Sequence, residues 1–179
     1  MIIMKKIVEI PEGVNVTVDG FKVTVKGKET IERDFYDQTF ATRVKIQTEN
    51  DKLTVSSESD KRKVKAFVGT LAAHIGNMVK GCVDGYTYKL KVCYVHFPMT
   101  VKVEGSRVSI ANFLGEKKPR FAKILDGAKV VVKKDDVIVT SNDKELAGQT
   151  AANIEVATKI TSRDRRVYQD GVFITEKAK

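Results

Sequence analysis

This 179-residue chain has only two cysteines, two histidines and three prolines, and each scarcity excludes something. Cys82 and Cys93 are too few for a disulfide scaffold. With ten residues between them they match no compact zinc knuckle, so reduced thiols and no metal are expected. No apolar run approaches the roughly 20 residues of a membrane helix. The opening MIIMKK lacks the apolar core and cleavage site of a secretory signal, so a cytosolic protein with no membrane partner is expected. There is no G-x-x-x-x-G-K-[ST] phosphate loop, no G-x-G-x-x-G and no G-x-S-x-G elbow. His74 and His96 stand alone and read as structural histidines rather than bases or ligands. Asp135-Asp136 follows Lys133-Lys134 between the runs VVV and VIV, which makes KKDD a solvated hairpin turn rather than a carboxylate pair for catalysis. No catalytic residue and no cofactor are expected.

What the chain does have is charge. Residues 1–82 carry 14 Lys/Arg against 11 Asp/Glu, a net of +3, and residues 83–179 carry 18 against 12, a net of +6. The total of +9 favours polyanionic partners, either nucleic acid or an acidic membrane surface. The asymmetry points to the second half. The first half, with acids from Glu29 to Asp37, is expected to meet protein or solvent.

The chain also repeats itself. VTVDGFKVTV (16–25) returns as VKVEGSRVSI (101–110), an offset of 85, and each copy reads as a tight hairpin turning at Gly20 or Gly105. DKLTVSS (51–57) resembles DDVIVTS (135–141), and an Asp-Lys pair at Asp60 or Asp143 then opens a helical pattern. After Asp60 the stripe Val64, Phe67, Val68, Leu71, Ile75, Met78 and Val79 predicts a helix capped by Ser59 or Asp60 and closed by Gly81. A second, less regular helix is expected over 144–159, and YTYKLKVCYVHF (86–97) reads as one long strand. The fold class is α+β: two tandem duplicated domains, 1–82 and 83–179, each a small antiparallel or mixed sheet with one helix packed on a face.

Two basic segments remain, both in the second half. In NFLGEKKPRFAKI (112–124), Lys117, Lys118, Arg120 and Lys123 surround a proline, and the flanking Phe113 and Phe121 could stack on unpaired bases. In SRDRRVYQDGVFI (162–174), Arg163, Arg165 and Arg166 present planar donor forks suited to phosphate. Lys159, Lys177 and Lys179 make the same end basic. Taken alone, the first segment reads more readily as a solubilising loop, and the second reads equally as a charged surface turn or as an RNA contact. VYQDGVFI is expected to form a closing hairpin turned at Asp170-Gly171, with Asp164 orienting a neighbouring guanidinium. Two rival classes remain open, a nucleic-acid-modifying enzyme and a basic protein-interaction module.

HIGNMVKGCVDGYTYKLKVCYVHFP (74–98), NFLGEKKPRF (112–121) and RDRRVYQDGVFI (163–174), in this order, resemble the large-subunit ribosomal protein six family in its archaeal and eukaryotic form. The resemblance implies two duplicated α+β domains. It also implies binding of large-subunit rRNA, mainly through the second domain, near the sarcin–ricin loop and the stalk base where translational GTPases dock. Neighbouring large-subunit ribosomal proteins are further implied partners, and the cytoplasmic ribosome the implied location. Carried over by position, Lys117, Lys118, Arg120, Arg163, Arg165 and Arg166 are the implied RNA contacts, joined by Lys123, Lys159 and Lys177. The Lys-Gly-rich ending of the bacterial form is absent here.

Overall fold

Short alternations of β-branched and polar residues fill the chain up to Ser57, and they form six strands ahead of one long helix: β1 (Met4–Glu9), β2 (Asn15–Asp19), β3 (Lys22–Lys26), β4 (Thr30–Asp34), β5 (Val44–Glu49), β6 (Lys52–Ser57) and α1 (Arg62–Val83). The computed structural model describes residues 4–27, 29–49 and 52–178; the opening Met1–Ile3, Asp51 and Lys179 lie outside them. Two units emerge, Met1–Asp84 and Gly85–Lys179. In the first, the antiparallel sheets β1-β6-β5 and β2-β3-β4 share a core with α1. Val23 and Val25 of β3 and Leu53 and Val55 of β6 meet Val64, Val68, Leu71 and Ile75 of the helix, all fully or almost fully buried. Each such side chain contributes about 1.5–3 kcal/mol of transfer free energy.

The second unit comprises β7 (Tyr86–Cys93), β8 (Thr100–Glu104), β9 (Arg107–Ala111), β10 (Arg120–Lys123), β11 (Ala128–Lys133), β12 (Asp136–Ser141), α2 (Lys144–Ala157) and β13 (Gly171–Glu176). It repeats the plan of the first. β10-β9-β8 matches β4-β3-β2, and β12 pairs antiparallel with β7 as β6 pairs with β1. The two expected hairpins form: Asp19 pairs with Lys22 and Glu104 with Arg107, around Gly20 and Gly105 at φ of 61° and 59°. Such turns need a positive φ at their first central residue, which glycine adopts without a Cβ clash. KKDD is likewise a turn, with Lys133 opposite Asp136. What the second unit adds is β13, which pairs antiparallel with the outer edge of β7 and makes a four-stranded sheet, β11-β12-β7-β13.

Several local expectations are corrected. α1 has no side-chain cap; Ser59 Oγ accepts the Lys61 N–H at 3.5 Å, and the Asp60 carboxylate pairs instead with the Lys65 ammonium. The helix continues through Gly81, which is buried, to Val83, and the chain turns at Gly85 with φ of 70°. β7 stops at Cys93 instead of Phe97: just past Tyr94, the Val95 and His96 N–H groups are taken by the Asp170 carboxylate rather than by a neighbouring strand. For the same reason VYQDGVFI is not a hairpin. Asp170 is anchored in the unit, and the strand after it pairs with β7 rather than with the residues before it. α2 ends at Ala157 rather than at 159, and its N-terminus carries a side-chain cap: Asp143 Oδ1 accepts the Glu145 N–H at 2.8 Å.

Candidate nucleic-acid interface

Three connections meet at one end of the second unit: 94–99 after β7, 112–119 between β9 and β10, and 158–170 between α2 and β13. Specific bonds bring them together. Asn112 Nδ2 donates to the Pro98 carbonyl at 3.0 Å, tying the first connection to the second. Arg120 Nη1 donates to the Ala157 carbonyl at 3.0 Å, tying the second to the last turn of α2, where a cation also suits the negative end of the helix dipole. The first and third are joined through Asp170, whose Oδ1 accepts Val95 N–H at 2.8 Å and His96 N–H at 3.1 Å and whose Oδ2 lies 2.7 Å from His96 Nδ1.

The exposed cations therefore stand on braced loops. Lys117 and Lys118 project from the second connection, and Lys159, Arg163, Arg165 and Arg166 from the third; all six are exposed. Glu116 links the two segments electrostatically. The hydrogen bond from Arg120 holds its carboxyl below the ordinary glutamate value against the opposing effect of partial burial, and the charges of Arg120 and Arg163 act in the same direction. Arg163 lies over the Tyr168 ring at 4.7 Å, and that ring stacks on His96 with centroids 4.7 Å apart. Asp164 does not orient a guanidinium. Its Oδ1 accepts the Arg166 N–H at 2.9 Å and its carbonyl accepts from Val167 and Tyr168, so it caps the turn that presents the arginines.

The other expected site residues separate. Arg120 belongs to β10, which starts directly after Pro119 rather than continuing as a loop, and its guanidinium is engaged three times. Nε and Nη2 fork onto Glu116 at 2.8 and 2.5 Å, Nη1 reaches Ala157, and the plane lies 4.3 Å from the Phe113 ring. It acts as a brace for the basic loop. Phe113, expected to stack on bases, is 1% exposed and belongs to the core; Phe121 is 48% exposed, with Arg107 over its ring at 4.3 Å. Lys123 is exposed three residues along β10 from Arg120, roughly 10 Å away. Lys177 follows β13, whose Glu176 pairs with Lys89 while Gly171 pairs with Cys93, so it lies roughly 20 Å along the strand from Gly171, at the opposite end of β13 from the 158–170 connection. It is not part of this cluster.

Sequence reading missed Glu116, Tyr168 and Asp170. Glu116 and Asp170 looked like ordinary loop acids, and Asp-Gly in particular is a strong hairpin signal. A buried acid at 1% exposure leaves no trace in local sequence, since its partners lie 74 and 75 residues away. Gly171 fixes the geometry beside it. At φ of 156° a Cβ would come within 3.1 Å of the Phe173 ring and 3.4 Å of Thr158 Oγ1, and that hydroxyl accepts the Val172 N–H at 2.9 Å.

Tandem α+β repeats with a cationic end on the second copy define a duplicated, basic α+β class of protein. A family model described as Ribosomal protein L6 matches the chain twice, over residues 10–85 and 97–171. The chain is similar along nearly its whole length to proteins named "Large ribosomal subunit protein uL6": 50% identical to that of Aeropyrum pernix over 95% of this chain and 92% of the relative. It is 48% identical to that of Sulfurisphaera tokodaii over 95% and 90%, and 46% identical to that of Methanococcus vannielii over 98% and 95%. The chain belongs to the Ribosomal protein L6 family.

Proposed function

We propose that this chain is a structural constituent of the large ribosomal subunit in the cytoplasm and that it grips large-subunit rRNA with the cationic end of its second unit. The observation that carries this reading is the convergence of Lys117, Lys118, Lys159, Arg163, Arg165 and Arg166 on loops tied to one another by Arg120, Glu116 and Asp170. Cations held this way neutralise phosphates with little ordering cost on binding, and each neutralised phosphate releases counterions. A-form RNA hides its base edges in a deep groove, so the fit is to phosphates, 2′-hydroxyls and shape. Lys123 and Lys177 serve as outlying contacts. The contacted rRNA lies near the sarcin–ricin loop and the stalk base, close to the translational GTPases. The less basic first unit faces neighbouring large-subunit proteins or solvent. Chemistry on the RNA is not part of the role, which is to fix one rRNA helix relative to its surroundings.

Ultraviolet crosslinking in intact ribosomes, followed by mapping of the linked peptides, tests the reading. Peptides from 112–124 and 159–169 should dominate, and the linked nucleotides should come from the sarcin–ricin region. Crosslinks concentrated in residues 4–83 would overturn it.

A further inference from the structure

Alongside the exposed cations, the second unit contains a cavity of about 660 Å³, bounded by the last turn of α2, the 165–170 segment and the start of β13. That volume falls within the roughly 300–1,000 Å³ range of small-molecule sites. Val156, Ile160 and Phe173 give it apolar walls, and Val156 and Phe173 remain 64% and 36% exposed, so apolar surface there faces water. Lys159 and Arg165 also line it, and both are exposed. The acids beside it are engaged elsewhere: Glu155 Oε1 accepts the Ile174 N–H at 3.3 Å, and Asp170 accepts from Val95 and His96. Gln169 donates one amide hydrogen to the Arg166 carbonyl at 3.3 Å, which leaves its amide a second donor and an acceptor for a base edge.

An apolar slot with two cations matches a ligand that is flat and apolar in one part and anionic in the next, which describes a nucleotide. The cations do not end at the slot, since Arg163 and Arg166 continue them on the same turn, where only a polynucleotide would have further phosphates. We infer that this cavity receives one nucleotide extruded from an RNA helix, its base against Val156, Ile160 and Phe173 and its flanking phosphates on Lys159 and Arg165. The inference rests on the rRNA-gripping role proposed above and adds a site to it. Base extrusion costs least at a bulge, so a bulged nucleotide is the preferred occupant.

The test compares two RNA hairpins of equal length at one salt concentration, one fully paired and one with a single bulged 2-aminopurine, titrated with the full chain. The bulged hairpin should bind about tenfold more tightly, the scale of one base stacked on a protein wall, and its fluorescence should change on binding. Val156→Trp fills the slot from an exposed position, and Val156→Glu places a carboxylate in its wall. Both should abolish the preference and leave thermal unfolding unchanged, and the uncharged Val156→Trp should also leave paired-hairpin binding unchanged. Equal binding of the two hairpins by the wild-type chain, or a preference that survives both substitutions, overturns the slot and leaves the phosphate-gripping role intact. Failure of the wild-type chain to bind either hairpin overturns both.

Discussion

His96 Nδ1 lies 2.7 Å from Asp170 Oδ2, a contact that spans 74 residues of sequence and joins the loop after β7 to the residue that precedes β13. Asp170 also accepts two backbone N–H groups, so one buried carboxylate fixes the strand end, the histidine, and through the histidine's stacking on Tyr168 the turn that carries the arginines.

Asp170→Ala should lower stability by about 2–4 kcal/mol, because it leaves the Val95 and His96 N–H groups without their acceptor in a part-buried site. Denaturant unfolding measures this. His96→Ala, which keeps both backbone bonds, should cost clearly less.

The same carboxyl sets a pH dependence. Burial pushes it up, but the hydrogen bonds from the His96 ring and from Val95 and His96 N–H prevail and hold it below the ordinary aspartate value. Because its folded value is depressed, its contribution is complete above the unfolded value of about 3.9 and is lost as pH falls through the folded value. Stability should therefore decline in acid below about pH 4, and Asp170→Asn should flatten that decline. An unchanged acid limb in the variant would dissociate Asp170 from it.

Alanine at Arg163, Arg165 and Arg166 together should weaken binding to a large-subunit rRNA fragment and reduce the salt slope by about 2–3, one increment of about 0.7–0.9 per lost phosphate contact. Far-UV circular dichroism should be unchanged. The matched set Lys61, Lys63 and Lys65 on the first unit should matter less, and an equal effect there would move the interface.

Arg120→Lys separates bracing from contact. Lysine cannot reproduce the fork to Glu116 together with the bond to Ala157, so affinity should fall with a salt slope close to that of the wild type. Undiminished affinity in the lysine variant, which keeps the charge but not the fork, would make Arg120 a direct phosphate contact rather than a brace.

Two glycines should respond with opposite sign. Gly171→Ala introduces a Cβ within 3.1 Å of the Phe173 ring at a φ that L residues avoid, and should cost about 1–3 kcal/mol. Gly69→Ala, inside α1 with nothing within 4 Å of the new methyl, should stabilise by about 0.5–1 kcal/mol. Thermal unfolding of each variant checks the pair.

Local pattern alone carried much of the outcome. Alternation at Val23 and Val25, the Asp-Gly and Glu-Gly turns and the 3.6-residue stripe of α1 each depend on neighbours a few positions away, so hairpins, helices and the duplicated α+β plan were legible from the residues. Net charge favoured the second half, and the motif order named the family. Boundaries failed where a distant group intervened: β7 ended early and the Asp170-Gly171 hairpin did not form because a carboxylate captured donors 74 and 75 positions away.

The candidate site divided along the same line. That Lys117, Lys118, Lys159 and the three arginines are exposed cations followed from residue type, since long charged side chains are rarely buried without partners. That they form one surface, that Arg120 braces it, that Phe113 lies in the core and that Lys177 stands apart were decided only by tertiary structure. The physical reason is that side-chain roles depend on which partners folding brings within hydrogen-bond reach. A guanidinium facing Glu116 and a helix terminus is a different group from one facing water, although the sequence writes both as arginine.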